Sequence, residues 1–310
     1  MNKLISVVTP TYNEIDNIDD LYSRLLKIWN IYQNYNFELI VIDNASTDGT
    51  VEKLKEIAGR DKRVKVIVNN KNYGHLRSPY WAMLQAYGDA VIFMASDLQD
   101  PPETLPLFID QWENGYKVVL GVKPKSEANG ISHYLRKLYY RVLNAISSIE
   151  LVNDATGFGI YDKKVMDLIR DINDPNPYFR GLVCELGYPI KTVEFEQARR
   201  LRGITKNNLY TLYDMAMMGF INYSLIPIRL ASIFGIFLGG ISLFMGIALL
   251  FIKFIWWDNI PLGIAPLAIG IFFLMGLMLI FIGILGEYVS TIIPYVRRRP
   301  IVIESERVNF

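Results

Sequence analysis

The amino-acid sequence predicts an α/β protein: a doubly wound, mostly parallel sheet followed by a C-terminal pair of membrane helices. Three observations predict it. Short β-branched runs alternate with stretches of helical spacing over the first part of the chain. Charged residues are never far apart through residue 228. Beyond it, two long runs carry no charge.

Leu4–Thr9 is rich in β-branched residues and ends at Pro10, so it predicts a buried strand. Asn17–Tyr32 sets Ile18, Leu21, Leu25 and Ile28 along one helical face. Phe37–Ile42 predicts a second strand, and Thr47-Asp48-Gly49-Thr50 a turn that opens a helix to Ile57. Val64–Val68 predicts a third strand, Pro79–Tyr87 a helix, and Ala90–Ala95 a fourth strand. Leu105–Glu113 predicts a helix and Val118–Leu120 a fifth strand. In a sheet wound this way, ligands sit beyond the carboxyl ends of the strands.

Leu230–Ile252 spans 23 residues without a charge, and Ile260–Gly286 spans 27. A bilayer core needs roughly 20 apolar residues in a helix. Soluble helices of that length keep a polar face, which these runs lack. Gly235 and Gly239 permit close helix contact. Trp256 and Trp257, in the short link, suit a membrane interface. A short link makes a hairpin with both ends on one side. Arg199, Arg200, Arg202, Lys206 and Arg229 precede it, and Arg297, Arg298 and Arg299 follow it. The positive-inside rule then places both ends in the cytoplasm. Met1-Asn2-Lys3 leads straight into a strand, so no signal peptide is expected. Asn207–Ile226 carries Leu209, Leu212, Tyr213, Met217 and Phe220 at mostly helical spacing. It fits an amphipathic helix on the membrane surface and an ordinary packing helix equally well. Pro227 separates it from the first span. The expected organisation is a cytoplasmic domain over 1–198 and a basic loop with a juxtamembrane helix over 199–228. Membrane helices follow over 229–254 and 263–288, joined by an extracytoplasmic loop over 255–262. A cytoplasmic tail is expected over 289–310.

Lysine and arginine total 32 against 31 acidic residues, which argues against a bulk electrostatic hold on nucleic acid. The one cysteine, Cys184, excludes an internal disulfide framework. Neither G-x-G-x-x-G nor G-x-x-x-x-G-K-[ST] occurs, which disfavours a dinucleotide enzyme or a P-loop kinase. Three strand ends carry carboxylates and amides instead. They are Thr9-Pro10-Thr11-Tyr12-Asn13-Glu14, Asp43-Asn44-Ala45-Ser46-Thr47-Asp48, and Ser96-Asp97-Leu98-Gln99-Asp100 running on to Glu103.

The order Pro10-x-Tyr12-Asn13-Glu14, Asp43-x-x-Ser46-Thr47-Asp48-Gly49-Thr50, Asn72-Tyr73-Gly74-His75 and Asp97-Leu98-Gln99-Asp100-Pro101-Pro102-Glu103 resembles family 2 glycosyltransferases. Arg200-x-x-Gly203-x-Thr205-Lys206, followed by a surface helix and a two-helix anchor, is similar to their polyprenyl-phosphate branch. That branch includes dolichol-phosphate mannose synthase and undecaprenyl-phosphate glucosyltransferases. The resemblance covers nearly the whole chain and implies a GT-A-like, Rossmann-like fold. It implies that Pro10, Tyr12 and Glu14 line the base and ribose, that Asp43 holds the base, and that Ser46 and Ser96 belong to the same nucleotide-sugar site. It also implies that Asp97 and Gln99 coordinate Mg²⁺ or Mn²⁺ on the donor diphosphate. Arg200 and Lys206 would bind phosphate oxygens of donor or lipid acceptor, and Arg136 would reach the lipid phosphate. Solvated-face charge explains Arg136 and Arg141, on an expected helix over Ile131–Ile146, equally well. Attraction to anionic headgroups is a second account of the basic cluster from Arg199 to Lys206. Asp48 has a second reading as a helix cap, and His75 as a structural hydrogen-bonding residue.

Two positions depart from the family pattern. Ala95-Ser96-Asp97 stands where Asp-x-Asp is usual, so the first carboxylate is missing. A cation on Asp97, Gln99, water and the diphosphate is still expected, with weaker affinity or altered preference, because Mg²⁺ keeps waters and few protein ligands. Gly157 stands where many relatives carry Asp before the Phe, and Asp154 lies slightly upstream. A lipid phosphate is already anionic at neutral pH, so a strong general base is unnecessary. Asp97 is therefore the leading critical residue, and Asp154 a secondary catalytic candidate.

The expected activity is inverting transfer of one sugar from a nucleotide sugar to undecaprenyl or another polyprenyl phosphate. Family association favours a UDP-sugar. The expected place is the cytoplasmic face of a bacterial inner membrane, and the expected use is surface-polysaccharide or lipopolysaccharide modification. Expected partners are the donor, the lipid phosphate, the bilayer and further copies of the chain, up to a tetramer, with no nucleic acid. Ala95 and Gly157 leave open a catalytically silent membrane scaffold. Gln197-Ala198-Arg199-Arg200-Leu201 leaves open a processive polysaccharide synthase, although that motif's tryptophan is missing.

Overall fold

The computed structural model of the chain describes residues 2–123, 152, 155–196, 226–255, 264–297 and 299–310. Its strands are β1 (Lys3–Thr11), β2 (Tyr35–Asp43), β3 (Val64–Asn69), β4 (Ala90–Phe93), β5 (Val118–Val122), β6 (Ala155–Asp162), β7 (Ile190–Glu194) and β8 (Glu304–Val308). Its α-helices are α1 (Ile15–Ile31), α2 (Thr50–Arg60), α3 (Gly74–Leu84), α4 (Leu105–Glu113), α5 (Lys163–Ile172), α6 (Phe179–Glu185), α7 (Ile226–Ile255) and α8 (Ile264–Arg297). One sheet runs in the order β7-β5-β6-β4-β1-β2-β3-β8. β1 pairs in parallel with β2 and β4, β2 with β3, and β5 with β7. β6 is antiparallel to β4 and β5, and β8 to β3.

Both faces of the sheet are covered. Ile5, Val7, Leu39 and Val41 pack with apolar residues of α1, α2 and α4. Val8, Ile40, Ile42 and Val91 pack with those of α3, α5 and α6. Successive strand residues point to opposite faces. A strand buried on both sides must therefore be apolar almost throughout, which is why the central strands read as continuous runs. Each fully buried Leu or Ile contributes about 1.5–3 kcal/mol.

Three boundaries differ from the sequence expectation, each for a local reason. β1 runs through Pro10 to Thr11. The Met94 amide donates to the Val8 carbonyl and the Asn44 amide to the Thr11 carbonyl, so the backbone of Pro10 turns toward the β4 side. β4 has already ended there, and the missing N–H of proline costs no ladder bond. α3 starts at Gly74 and holds Pro79 inside it. Asn44 fixes the chain ahead of that start: its Oδ1 accepts from the Tyr73 amide at 2.8 Å, and its Nδ2 donates to Asn72 Oδ1 at 2.8 Å. Residues 289–310 form no simple tail. α8 continues to Arg297, and Glu304–Val308 joins the sheet as an edge strand. Ile301 and Val302 are buried with α3 and α5.

α7 has 30 residues and α8 has 34. Among the described residues, Phe273–Arg297 is long and apolar enough to cross a membrane, with a mean hydropathy of 2.0 and none of its window buried in the protein. Ile228–Ile241 is a shorter apolar helical stretch. Near the end of α8, the Tyr295 hydroxyl donates to Asp174 Oδ1 at 3.0 Å, tying that helix to the segment after α5. The expected helices over Ile131–Ile146 and Asn207–Ile226, and the link with Trp256 and Trp257, fall outside the described residues, except for Ile226 itself, which begins α7.

Candidate active site

Three loops leave the carboxyl edge from the neighbouring strands β4, β1 and β2. Each turns through a non-glycine residue in left-handed backbone: Leu98 (φ 60°), Asn13 (φ 55°) and Ala45 (φ 64°). That conformation costs an alanine or leucine roughly 1–2 kcal/mol, and such strain gathers at functional sites. Nothing in Ala45 or Leu98 as residue types signals it.

The β1 and β2 loops are stitched together around Asp43. Asp43 ends β2 in register with Thr11 and is fully buried. The Ser46 amide donates to its Oδ1 at 2.8 Å and the Ser46 hydroxyl to its Oδ2 at 2.5 Å. Burial pushes the Asp43 carboxyl above the ordinary carboxylate range, and the bonds from Ser46 offset this only in part. Ser46 Oγ also accepts from the Asn13 amide at 2.8 Å, while Asn13 Oδ1 accepts from the Thr47 amide at 2.8 Å. Pro10 and Tyr12 are half-buried on this same edge. Glu14 is there too, with its Oε2 accepting from Asn17 Nδ2 at 2.6 Å.

Asp48 takes the structural side of its two readings. Its Oδ1 accepts from the Thr50 amide at 3.1 Å and the Thr50 hydroxyl at 2.5 Å, and its Oδ2 from the Ile15 amide at 3.2 Å. Partial burial raises its pKa, but these bonds outweigh that and hold it below the usual range. Asp48 thus fastens the start of α2 to the start of α1. A second web links β2 to the loop after β3. Asn69 Nδ2 donates to Asn44 Oδ1 at 3.2 Å and to Ser78 Oγ at 3.0 Å.

In the β4 loop, Ser96 and Leu98 are buried, and Asp97 and Gln99 are half-buried. The Gln99 amide donates to Asp97 Oδ1 at 3.2 Å. Asp100 is buried, its Oδ2 accepts from the Ala95 amide at 3.1 Å, and burial pushes its pKa up to about 6. Asp100 therefore closes this loop on itself. Among the described residues, no group of three or more His, Cys, Asp or Glu is placed to hold a metal ion. Asp97 and Gln99 offer one carboxylate and one amide oxygen, donors of the kind a hard cation takes, and do not form a protein cage.

β6 runs antiparallel to β4, with Phe93 opposite Gly159, so its first residues reach the same edge. Gly157 has φ 94° there, and a side chain on it would stand 3.8 Å from the Phe93 ring and 3.9 Å from Arg180 Cγ. Arg180 Nη1 donates to the Ala155 carbonyl at 3.1 Å. The His75 side chain still reaches solvent, yet desolvation by the surrounding chain and then the Arg180 guanidinium lower its pKa. Arg180 lies outside the strand-end motifs and carries no residue-type signal of its own. Arg136, Asp154, Arg200 and Lys206 lie outside the described residues.

The profile of the family described as Glycosyl transferase family 2 matches residues 6–169, just over half the chain. The chain belongs to glycosyl transferase family 2. The matched span contains all three loops. The bactoprenol glucosyl transferase from the SfII prophage of Shigella flexneri is 30% identical over 308 residues, covering 98% of this chain and 99% of that one. The uncharacterized glycosyltransferase YkcC of Bacillus subtilis is 32% identical over 299 residues, covering 96% of this chain and 92% of that one. Among solved structures, the mannosyltransferase PcManGT of Pyrobaculum calidifontis, in complex with GDP-Man and Mn²⁺, is similar over 71% of this chain and 63% of that one. Its identity is 16% and its TM-score 0.46. This family 2 glycosyltransferase thus carries its candidate site where three neighbouring strands end.

Proposed function

We propose that this glycosyltransferase moves one sugar from a nucleotide sugar, UDP-linked in preference, to a polyprenyl phosphate such as undecaprenyl phosphate, with inversion. The observation that carries the reading is the full-length likeness to bactoprenol glucosyl transferase, over 98% of this chain and 99% of that relative. It spans both the strand-end loops and the apolar helices. α7 and α8 then form a membrane hairpin, with the catalytic domain and both termini on the cytoplasmic face of a bacterial inner membrane. The donor is soluble and the acceptor is in the bilayer, so a site tethered beside the membrane meets both. A homo-oligomer, up to a tetramer, suits the exposed apolar helix faces. The glycolipid would serve surface-polysaccharide or lipopolysaccharide modification.

In this reading Pro10, Tyr12, Glu14, Asp43, Ser46 and Ser96 hold the nucleotide. Asp97 and Gln99 would hold Mg²⁺ or Mn²⁺, which would supply positive charge against the leaving diphosphate. An oxygen of the lipid phosphate bonds to the anomeric carbon as the bond to the donor diphosphate breaks, and the nucleoside diphosphate leaves. Arg136, Arg200 and Lys206 steady the phosphates, with Asp154 a positioning or base candidate. The nucleophile needs no deprotonation, so positioning and charge carry the rate. The test incubates the purified chain with a panel of labelled sugar nucleotides, undecaprenyl phosphate and Mg²⁺ or Mn²⁺. Labelled lipid with one donor supports the reading, and no labelled lipid with any donor rejects it.

A further inference from the structure

Arg180 is a half-buried cation whose hydrogen-bond acceptor among the described residues is the Ala155 carbonyl. It sits at the beginning of α6, which packs against α3 and β6 through Phe179: its ring meets Tyr80 at 6.4 Å and Tyr161 at 5.0 Å, both edge to face. That packing holds the first turn of α6 at the edge where β6 begins. Arg180 uses one of its donors on the Ala155 carbonyl and lies 5.8 Å from the Tyr178 ring. Among the described residues, no carboxylate pairs with it. A guanidinium offers five N–H donors in a planar fork. Removing such a charge from water is costly unless an anion or further acceptors meet it.

The surroundings favour an anion from outside the chain. Gly157 leaves open the space beside the Arg180 stem, where a side chain would stand 3.9 Å away. The opposite wall is Phe93, at the end of β4 and four residues before Asp97. A second nitrogenous side chain, His75, enters from the first turn of α3, close enough to feel the guanidinium. Among the described residues, Arg180, Gly157 and Phe93 thus form a notch with a cation on one side and no side chain at position 157, beside the loop that bears Asp97.

We propose that Arg180 is a phosphate-positioning residue, with its guanidinium receiving phosphoryl oxygens in the notch that Gly157 leaves open beside the β4 loop. The shared chemistry is a phosphate ester, supplied by the donor diphosphate or by the lipid monophosphate. The inference rests on the transfer reaction proposed above. Planar bidentate donation suits phosphate oxygens, and charge-assisted bonds of this kind are the strong ones.

The test compares wild type, Arg180→Gln and Arg180→Lys as full chains in detergent. Apparent KM is measured separately for the sugar nucleotide that the donor panel selects and for undecaprenyl phosphate, together with Tm and the direct binding of UDP and of undecaprenyl phosphate. Arg180→Gln is expected to raise one of the two KM values tenfold or more and to weaken binding of the same ligand. Arg180→Lys is expected to recover part of that loss. The KM that moves identifies which phosphate Arg180 holds. If both KM values and both affinities stay within twofold while only Tm falls, Arg180 merely tethers Ala155 and the proposal is overturned. Arg180→Met preserves the stem and takes the place of Arg180→Gln if that variant misfolds. If wild type transfers no sugar, the transfer reading fails on its own, and the binding measurements still decide the role of Arg180.

Discussion

Ser46 grips both oxygens of Asp43: its hydroxyl lies 2.5 Å from Oδ2 and its amide 2.8 Å from Oδ1. The same hydroxyl oxygen accepts from the Asn13 amide. One serine therefore joins a buried carboxylate at the end of β2 to the loop that follows β1. Ser46→Ala removes the two bonds made by the hydroxyl, keeps the amide bond to Oδ1, and leaves a buried acceptor short of a partner, which costs about 1–3 kcal/mol. We expect a lower Tm and at least tenfold weaker binding of UDP, measured by calorimetry. Unchanged UDP affinity would detach this pair from the donor site.

Asp43 is held at the expense of stability. Its folded pKa is raised by burial. A carboxyl with a raised pKa loses folding stability as pH climbs from its unfolded value through its folded value. Asp43→Asn removes that loss. The variant is expected to melt higher than wild type at pH 7, with the difference closing toward pH 3. The same variant should bind UDP poorly. A variant that is less stable at neutral pH would show that Asp43 is structural.

Much of this arrangement was legible in the sequence, because buried strands announce themselves. β1, β2 and β3 fall within two residues of their expected spans, since both faces are covered and nearly every position is apolar. α4 matches its expected span, Leu105–Glu113. The strand-end loops are legible as candidates because the carboxyl edge is where a doubly wound sheet binds ligands. What stayed hidden depends on contacts distant in sequence. The left-handed turns at Ala45 and Leu98 carry no residue-type signal. Glu304-Ser305-Glu306-Arg307 reads as a solvated tail, yet pairs with β3 because that edge was open. Arg180 becomes interesting only when β6 brings Gly157 beside it.

The C-terminal strand gives the next prediction. Trp81 Nε1 donates to the Glu304 carboxylate, Lys55 Nζ lies 2.5 Å from Glu306 Oε2, and Arg77 Nη2 donates to the Pro300 carbonyl at 2.9 Å. Deleting residues 301–310 removes the buried Ile301 and Val302 side chains and frees the edge of β3. Two buried aliphatic side chains contribute about 3–6 kcal/mol together, and a bare edge strand promotes association. We expect a lower denaturation midpoint and concentration-dependent aggregation by light scattering. A truncated chain as stable and monodisperse as the full chain would make β8 dispensable.

A surface pair gives a pH signature away from the site. Asp61 accepts from the Arg63 guanidinium and the Tyr22 hydroxyl, and the Arg63 bond lowers its pKa to about 2. A depressed carboxyl contributes stability above its unfolded pKa and loses it as pH falls through the folded value. With solvent screening the contribution is about 1 kcal/mol. Asp61→Asn should destabilise by that amount at pH 7 and become neutral near pH 2, as read from urea midpoints across pH. Transfer activity should not change.

The phosphate group of the acceptor is central to the account, because it serves as a ready-made nucleophile and removes the need for the base that Gly157 does not supply. The most direct measurement offers the full chain the sugar nucleotide selected by the donor panel and Mg²⁺ with undecaprenyl phosphate in one arm and undecaprenol in the other, with Asp97→Ala as control. The account predicts a lipid carrying one sugar, of inverted anomeric configuration, from the phosphate alone, and none from Asp97→Ala. Transfer to the alcohol at a similar rate, or full activity in Asp97→Ala, would contradict it.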